Sequence, residues 1–191
     1  QTYDGTPHPV AVTTTPAVPQ RPTPYLSFSL GGEDYALPAL RIREIIEYEP
    51  ITPLPGAPPS VRGVINLRGS VVPVVDLAVA FGLPSTVAAA STCVVVAELE
   101  VAGEVCPLGL LADAVHRVLE LSPADIESPP SFGLGTRLEY LSGMGKIDGQ
   151  KKFLMILDLD KILVLQDAAR TGAPRPPAAS DGAPRIDSGA S

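Results

Sequence analysis

The sequence contains few residues that could support catalysis. It has two histidines and no tryptophan, and His8 lies in a proline-rich stretch, so a histidine-dependent active site would have to use His116. No strand pattern is followed by Gly-x-Ser-x-Gly, and the glycine pairs at Gly133-Leu134-Gly135 and Gly143-Met144-Gly145 lack the spacing of phosphate-binding loops. These absences predict a protein that is not an enzyme, with His116 an ordinary strand residue.

Cysteine is also scarce. Cys93 and Cys106 lie in separate apolar, strand-like runs, and no Cys-x-x-Cys motif occurs. We expect two reduced thiols rather than a disulfide. Asp158 and Asp160 could suggest magnesium, but an aspartate at the start of a helix has a capping role that needs no ion. We therefore predict no metal and no cofactor.

Positive charge is limited as well. The chain has 14 Lys and Arg against 21 Asp and Glu, a formal net charge of −7, and Lys151-Lys152 is its one adjacent basic pair. Nucleic-acid binding normally requires a basic surface, so we exclude it. No apolar run reaches the roughly 18 residues of a membrane span, and the first 24 residues lack a signal-peptide pattern. We expect a cytoplasmic protein without direct membrane insertion.

Composition divides the chain into three zones. Residues 1–24 are rich in proline and threonine, and residues 167–191 are rich in alanine, glycine, proline and serine. Neither zone has enough large apolar side chains to offset the entropy of ordering, so both are predicted to be disordered tails. Residues 25–166 form the predicted folded domain, whose core must consist mainly of Val, Leu, Ile and Ala because only 5% of residues are aromatic.

Short apolar runs bounded by turn residues predict a mainly β domain with short helices. The predicted strands are Tyr25–Leu30, Tyr35–Leu37, Gly63–Leu67, Ser70–Val75, Cys93–Leu99, Val105–Leu111, Ala114–Leu121, Leu138–Lys146 and Phe153–Leu157. Pro50–Pro59 is a proline-rich connector, and Leu77–Phe81 is a short helix.

An internal repeat runs through this domain. Gly63 and Gly69 are followed by an apolar strand and Asp76-Leu77, while Gly143 and Gly149 are followed by an apolar strand and Asp158-Leu159. Each half holds about four or five short strands, too few for a stable open sheet. The pattern therefore predicts two small barrels packed together, which would hide their edges.

Two charged residues suggest a protein-binding surface. Arg68 is predicted at a hairpin tip, where a guanidinium can reach out as a bidentate donor. Glu44 alternates with Ile42 and Ile46 on a strand, so the three could share a docking face. Alternatively, the isoleucines face the core and Glu44 is simply solvated; the pattern does not separate the two.

The most specific motif spans the predicted hairpin. It reads Gly-Val-Ile-Asn-Leu-Arg-Gly at residues 63–69 and Val-Pro-Val-Val-Asp-Leu at residues 72–77, and this closely resembles the CheW family of chemotaxis coupling proteins. The segment Ala112–Leu119 also fits the family pattern, and the resemblance extends over residues 25–165.

The resemblance implies two packed, five-stranded SH3-like β-barrels without enzymatic activity. It further implies a scaffold, associated with membrane-bound receptor arrays, that couples chemoreceptor cytoplasmic tips to the regulatory domain of a CheA-type histidine kinase. Glu44 and Arg68 are expected to interact with each other or with the receptor. The family's receptor-facing positions correspond to Ile42, Glu44, Gly63, Asn66, Arg68, Cys93 and Val118.

Some questions stay open at this level. Cys93 departs from the aliphatic residue usual in the family, and the resemblance marks no kinase-facing residues. The chain lacks room for the extra domains of larger family members, which implies a stand-alone adaptor. A related chemosensory system controlling pili or gliding is an alternative, and a small-ligand-binding protein is a more distant one.

Overall fold

The computed structural model describes residues 21–130, 139–147, 149 and 151–163. The strands are β1 Thr23–Leu30, β2 Glu33–Pro38, β3 Ile42–Glu47, β4 Val61–Leu67, β5 Ser70–Val75, β6 Cys93–Val101, β7 Glu104–Ala112, β8 Ala114–Leu121, β9 Ile126–Glu127, β10 Leu141–Lys146 and β11 Phe153–Leu157. Helix α1 is Leu77–Ala80, and residues 159–163 form another helical turn.

The predicted strands agree closely with those of the structure, with small differences at their ends. β1 begins at Thr23, two residues before the predicted start of the domain. Residues 1–20 of the predicted tail 1–24, residues 164–166 of the predicted domain and the whole predicted tail 167–191 lie outside the described residues, as does the Gly133-Leu134-Gly135 motif. The predicted mainly β class is therefore confirmed, with the first strand longer than expected.

The strands form two sheets. The six-stranded sheet has the order β8-β1-β2-β11-β10-β9, and the five-stranded sheet has the order β3-β6-β7-β5-β4. The sixth strand of the larger sheet is the two-residue β9, which pairs with β10. Apart from this short addition, each sheet has the five strands that the family resemblance implied.

Each sheet combines strands from both halves of the chain. The β1–β2 hairpin lies between β8 and β11, and the β6–β7 hairpin lies between β3 and β5. The exchange creates one parallel contact in each sheet, Met155 opposite Tyr35 and Val74 opposite Gly109. The sequence repeat had suggested one barrel per half, whereas the structure exchanges the first hairpin of each half. The two barrels therefore depend on each other for their strands.

Each sheet curls until its ends approach. After β3 the chain returns to β4, where the N–H groups of Thr52 and Val64 donate to each other's carbonyl oxygens at 2.9 Å. After β8 the chain returns through β9 to β10 in the same way. The interior of the five-stranded sheet is filled by Ile65, Val72, Val74, Val94, Val96 and Leu111, and that of the six-stranded sheet by Ala36, Leu121, Leu154 and Ile156.

A larger core lies between the two sheets and joins them. It takes residues from β1, β2, β5, β6, β7 and β11, from α1 and from the helical turn at 159–163. Four aromatic rings run through it in contact, with centroid separations of 6.1 Å for Phe28 and Tyr35, 5.5 Å for Tyr35 and Phe81, and 5.1 Å for Phe81 and Tyr140. Because this core is shared, the barrels are held in one arrangement.

Candidate protein-docking site

The turn between β4 and β5 carries the predicted arginine at its tip. Leu67 pairs with Ser70, so Arg68 and Gly69 form a two-residue loop with φ values of 50° and 85°. Positive φ at both positions is the pattern of a type I′ turn, which matches the twist of a hairpin. The side-chain Oδ1 of Asn66 accepts a hydrogen bond from the Gly69 N–H at 2.9 Å. The turn is therefore fixed by its own backbone and by one side chain.

Arg68 pairs with Glu44 across the seam of the five-stranded sheet. Its Nη2 donates to Oε2 of Glu44 at 3.0 Å, and the two side chains are 76% and 18% exposed. Glu44 lies on β3 and Arg68 follows β4, and these are the two end strands of the sheet. The expected interaction between the two residues is thus present, and it ties the β4–β5 turn to the opposite edge of the curled sheet.

Neither interpretation of β3 from the sequence is fully right. A bulge between Ile42 and Glu44 interrupts the alternation against β6. Ile42 packs against the core between the sheets, and Ile46 packs against the interior of the five-stranded sheet. The isoleucines therefore support the core, as the second interpretation proposed. Glu44, however, is mostly buried and paired rather than solvated.

Only one of the two oxygens of the Glu44 carboxylate has a hydrogen-bond partner among the described residues. Its Oε1 is inaccessible to solvent and has no hydrogen-bond partner among the described residues. The Arg68 guanidinium carries five N–H donors, and most of it remains exposed. The pair therefore presents an anchored cation that can donate further hydrogen bonds to an acceptor on a docking protein.

Gly63 lies inside the fold. It is buried at φ 144°, and a Cβ atom there would lie 2.0 Å from the Thr52 carbonyl oxygen. The absence of a side chain lets the segment after β3 reach β4 and close the sheet. Gly63 therefore allows the sheet that carries the site to close. A direct contact with a receptor remains a prediction.

Cys93 and Val118 lie on different sheets. Cys93 begins β6 and packs against the shared core as a free, half-buried thiol. Burial raises the pKa of the Cys93 thiol, and a hydrogen bond with the backbone of Val115 partly offsets this. Val118 is 55% exposed on β8. Among the predicted residues, Arg68 and Glu44 are thus joined directly, while Asn66 bonds to Gly69 in the turn that carries Arg68.

The described residues offer little for other chemistry. Among them, no group of three or more His, Cys, Asp or Glu side chains could hold a metal ion. His116 lies with Nε2 3.7 Å from Oδ1 of Asp34, and both side chains are about half exposed. Within the same part of the chain, no helix is long and apolar enough to cross a membrane.

The structure also contains a polar centre that the sequence did not indicate. Asp76 is fully buried, and its carboxylate accepts hydrogen bonds from the N–H of Ala78 at 3.1 Å and from the N–H and Oγ1 of Thr86 at 2.8 and 2.9 Å. Nη1 of Arg62 lies 3.5 Å from it. The sequence predicted the helix start after Asp76. It contained no pattern pointing to Thr86, which lies in a loop.

Comparison with known proteins places this geometry in a family. The family model described as CheW-like domain matches residues 24–167. Chemotaxis protein CheW of Klebsiella aerogenes is 33% identical over 145 residues, covering 76% of this chain and 84% of that protein. Protein FrzA of Myxococcus xanthus is 28% identical over 139 residues, covering 73% and 84%.

A solved structure agrees. The scaffolding protein TtCheW from Thermoanaerobacter tengcongensis superimposes with a TM-score of 0.63 at 31% identity, covering 72% of this chain and 89% of that one. Sequence and structure thus match over the same two-sheet region. The chain belongs to the CheW-like domain family.

Proposed function

We propose that this protein is a non-catalytic scaffold that couples chemoreceptors to a CheA-type histidine kinase in bacterial chemotaxis. The observation that carries the proposal is the family match over residues 24–167, which includes the whole two-sheet fold and the Arg68 turn. The names of two similar proteins, a chemotaxis protein and a scaffolding protein, support it.

The proposed partners are the cytoplasmic tip of a chemoreceptor and the regulatory domain of the kinase. Assembly would occur in the cytoplasm at membrane-bound receptor arrays. The proposed docking surface is built around Arg68 and Glu44 and includes Val118 on the other sheet; Asn66 lies beside Arg68 and is bonded to Gly69. Exposed charges of this kind orient a partner and exclude wrong ones more than they supply affinity.

Reversing the charge at the tip tests the proposal. Arg68→Glu removes the exposed donor and puts a second carboxylate beside Glu44. We expect receptor and kinase binding to weaken by at least about tenfold. The measurement is co-sedimentation of the purified protein and the kinase with membranes that contain the receptor.

Lys152→Glu is the matched control. Lys152 is exposed in the connection between β10 and β11, so the variant makes the same charge change at the corresponding hairpin of the other sheet. It should assemble like the wild type, and circular dichroism should show both variants folded. Full assembly by Arg68→Glu, or equal loss by both variants, would contradict the proposed site.

The similarity to FrzA supports a second candidate within the same class. Family membership does not by itself fix the signalling system in which an adaptor acts. The alternative is an adaptor of a related chemosensory system that controls pili or gliding. Deleting the gene and scoring swimming separately from surface motility distinguishes the two, because each system should lose only its own behaviour.

A further inference from the structure

We infer that Asn66 is a positioning residue, which acts on docking through Arg68 rather than by touching the partner. The inference rests on the proposed function, because it concerns how the docking arginine is presented. It also revises the expectation from family resemblance, which counted Asn66 among the receptor-facing positions.

The backbone of Arg68 has an uncommon conformation. Its φ of 50° lies in the left-handed region, which residues with a Cβ atom seldom adopt. Type I′ turns normally have Asn, Asp or Gly at this position. Arginine therefore gains nothing locally from its place in the turn, and other contacts must compensate for the strain.

One side-chain contact holds this conformation of the turn. The Asn66 Oδ1 is 2.9 Å from the Gly69 amide nitrogen, so the side chain bridges the turn beneath Arg68. Gly69 takes the second left-handed position at φ 85°, and a Cβ there would meet nothing within 4 Å. The bond to Asn66 therefore restrains the turn at a point that packing leaves free.

The guanidinium end of the Arg68 side chain is held as well. Glu44 fixes the guanidinium through the 3.0 Å contact, while Asn66 fixes the backbone that carries it. Held at both ends, a long side chain that is 76% exposed loses less freedom when a partner docks. Asn66 thus contributes to affinity through the turn that its Oδ1 restrains.

A double-mutant cycle tests the inference. The probes are a purified cytoplasmic chemoreceptor fragment and the kinase regulatory domain, titrated by calorimetry. We expect Asn66→Ala to weaken binding about fivefold, the loss of one net hydrogen bond. In an Arg68→Ala background the same substitution should have no further effect. Asn66→Asp keeps an acceptor oxygen and should retain most of the affinity.

Equal losses from Asn66→Ala in both backgrounds would show a direct contact and overturn the inference. A second measurement, made on the protein without partners, tests the role of Asn66 when binding cannot be measured. Asn66→Ala should speed hydrogen exchange of the Gly69 amide and shift the NMR signal of the Arg68 guanidinium, whereas Asn66→Asp should not. Unchanged signals in a folded Asn66→Ala protein would also overturn it.

If the wild type binds neither probe, the proposed function fails. The exchange and NMR results then still decide whether Asn66 holds the turn. The two failures are therefore distinguishable.

Discussion

The two sheets follow one plan that the sequence repeat encodes. Gly63 on β4 and Gly143 on β10 each follow a register shift in the pairing with the next strand. Asp76 and Asp158 follow those next strands, and their amide nitrogens donate to carbonyl oxygens of Ser60 and Tyr140, both at 2.7 Å. These shared features form the barrels. The repeat therefore conserves the parts that close and join the sheets.

The sheets differ where the docking site is proposed. β4 and β5 are joined by the tight Arg68-Gly69 turn, whereas the connection from β10 to β11 runs from residue 147 to residue 152. The β3 strand offers Glu44 to the arginine, and the corresponding strand β8 carries Val118. The duplicated framework is common to both halves, while the Arg68–Glu44 pair, which joins the two end strands, lies in the five-stranded sheet. Among the described residues, the six-stranded sheet instead pairs Lys146 with Glu127, on the adjacent strands β10 and β9.

The largest expected effect on stability is at one of the two glycines that follow the register shifts, Gly63 and Gly143. In Gly63→Ala the new Cβ would meet the Thr52 carbonyl at 2.0 Å at a φ of 144°, and backbone on both sides must move. We expect a loss of about 3 kcal/mol or more in the free energy of unfolding, or no folding. Urea denaturation measures it, followed by amide exchange in β11. Because hairpins are exchanged, both sheets should lose protection together.

Gly143→Ala is the matched variant in the other sheet. Its Cβ would lie 2.6 Å from Cγ2 of Ile126, a side chain that can shift, and 3.3 Å from the Glu127 oxygen. We expect a smaller loss of about 1–2 kcal/mol. Equal effects of the two substitutions would show that sheet closure tolerates strain at both places alike. Separate unfolding of the two sheets would contradict their mutual dependence.

The next largest effect is expected at one of the two aspartates. Asp76→Ala leaves the N–H and Oγ1 of Thr86 without their acceptor inside the fold, so we expect a loss of about 3 kcal/mol. Arg62 loses a carboxylate 3.5 Å away but keeps its hydrogen bond to Oγ of Ser85. Asp158 is 27% exposed and accepts from the N–H groups of Asp160 and Lys161, so Asp158→Ala should cost about 1 kcal/mol, as for a helix cap. Thermal unfolding of both variants measures the difference, and a larger loss from Asp158→Ala would contradict it.

Local patterns predicted most of the strands. The alternation of apolar residues and the glycine turns located β1, β2, β4 to β8 and β11 to within a few residues, because each signal is contained in one short segment. The exchange of the hairpins was not predictable in this way. Which strands become neighbours depends on long-range packing around the shared core, and no single segment records it.

The candidate site was predictable in part for the same reason. The motif around Arg68 indicated a hairpin tip, and family resemblance led us to expect that Glu44 interacts either with Arg68 or with the receptor. The bulge at β3 was not visible, since alternation assigned Ile42 and Glu44 to one face. The hydrogen bond from Gly69 to Asn66 was also missed, because a side chain that stabilises a turn and one that meets a partner look alike in sequence.

The smallest expected effect concerns the two connections through which the chain reaches β4 and β9, where the sheets close. The chain reaches β4 through the proline-rich connector, but it reaches β9 through a turn in which the N–H and Oγ of Ser122 donate to Oδ2 of Asp125 at 2.9 and 2.6 Å. The hydrogen bonds from Ser122 hold the pKa of Asp125 below its usual value, with a smaller contribution from the charge of Lys146.

A carboxyl group whose pKa is lowered by folding stabilises the folded state above its unfolded pKa. That contribution is lost as the pH falls through the folded pKa, so the effect belongs to the acid range below about pH 4. Ser122→Ala should raise the Asp125 pKa toward its ordinary value and should raise it more than Lys146→Met does. Carboxyl-carbon NMR titration measures both shifts. An unchanged pKa in Ser122→Ala would contradict the role of the hydroxyl and would leave the backbone N–H of residue 122 as the donor that holds the carboxylate.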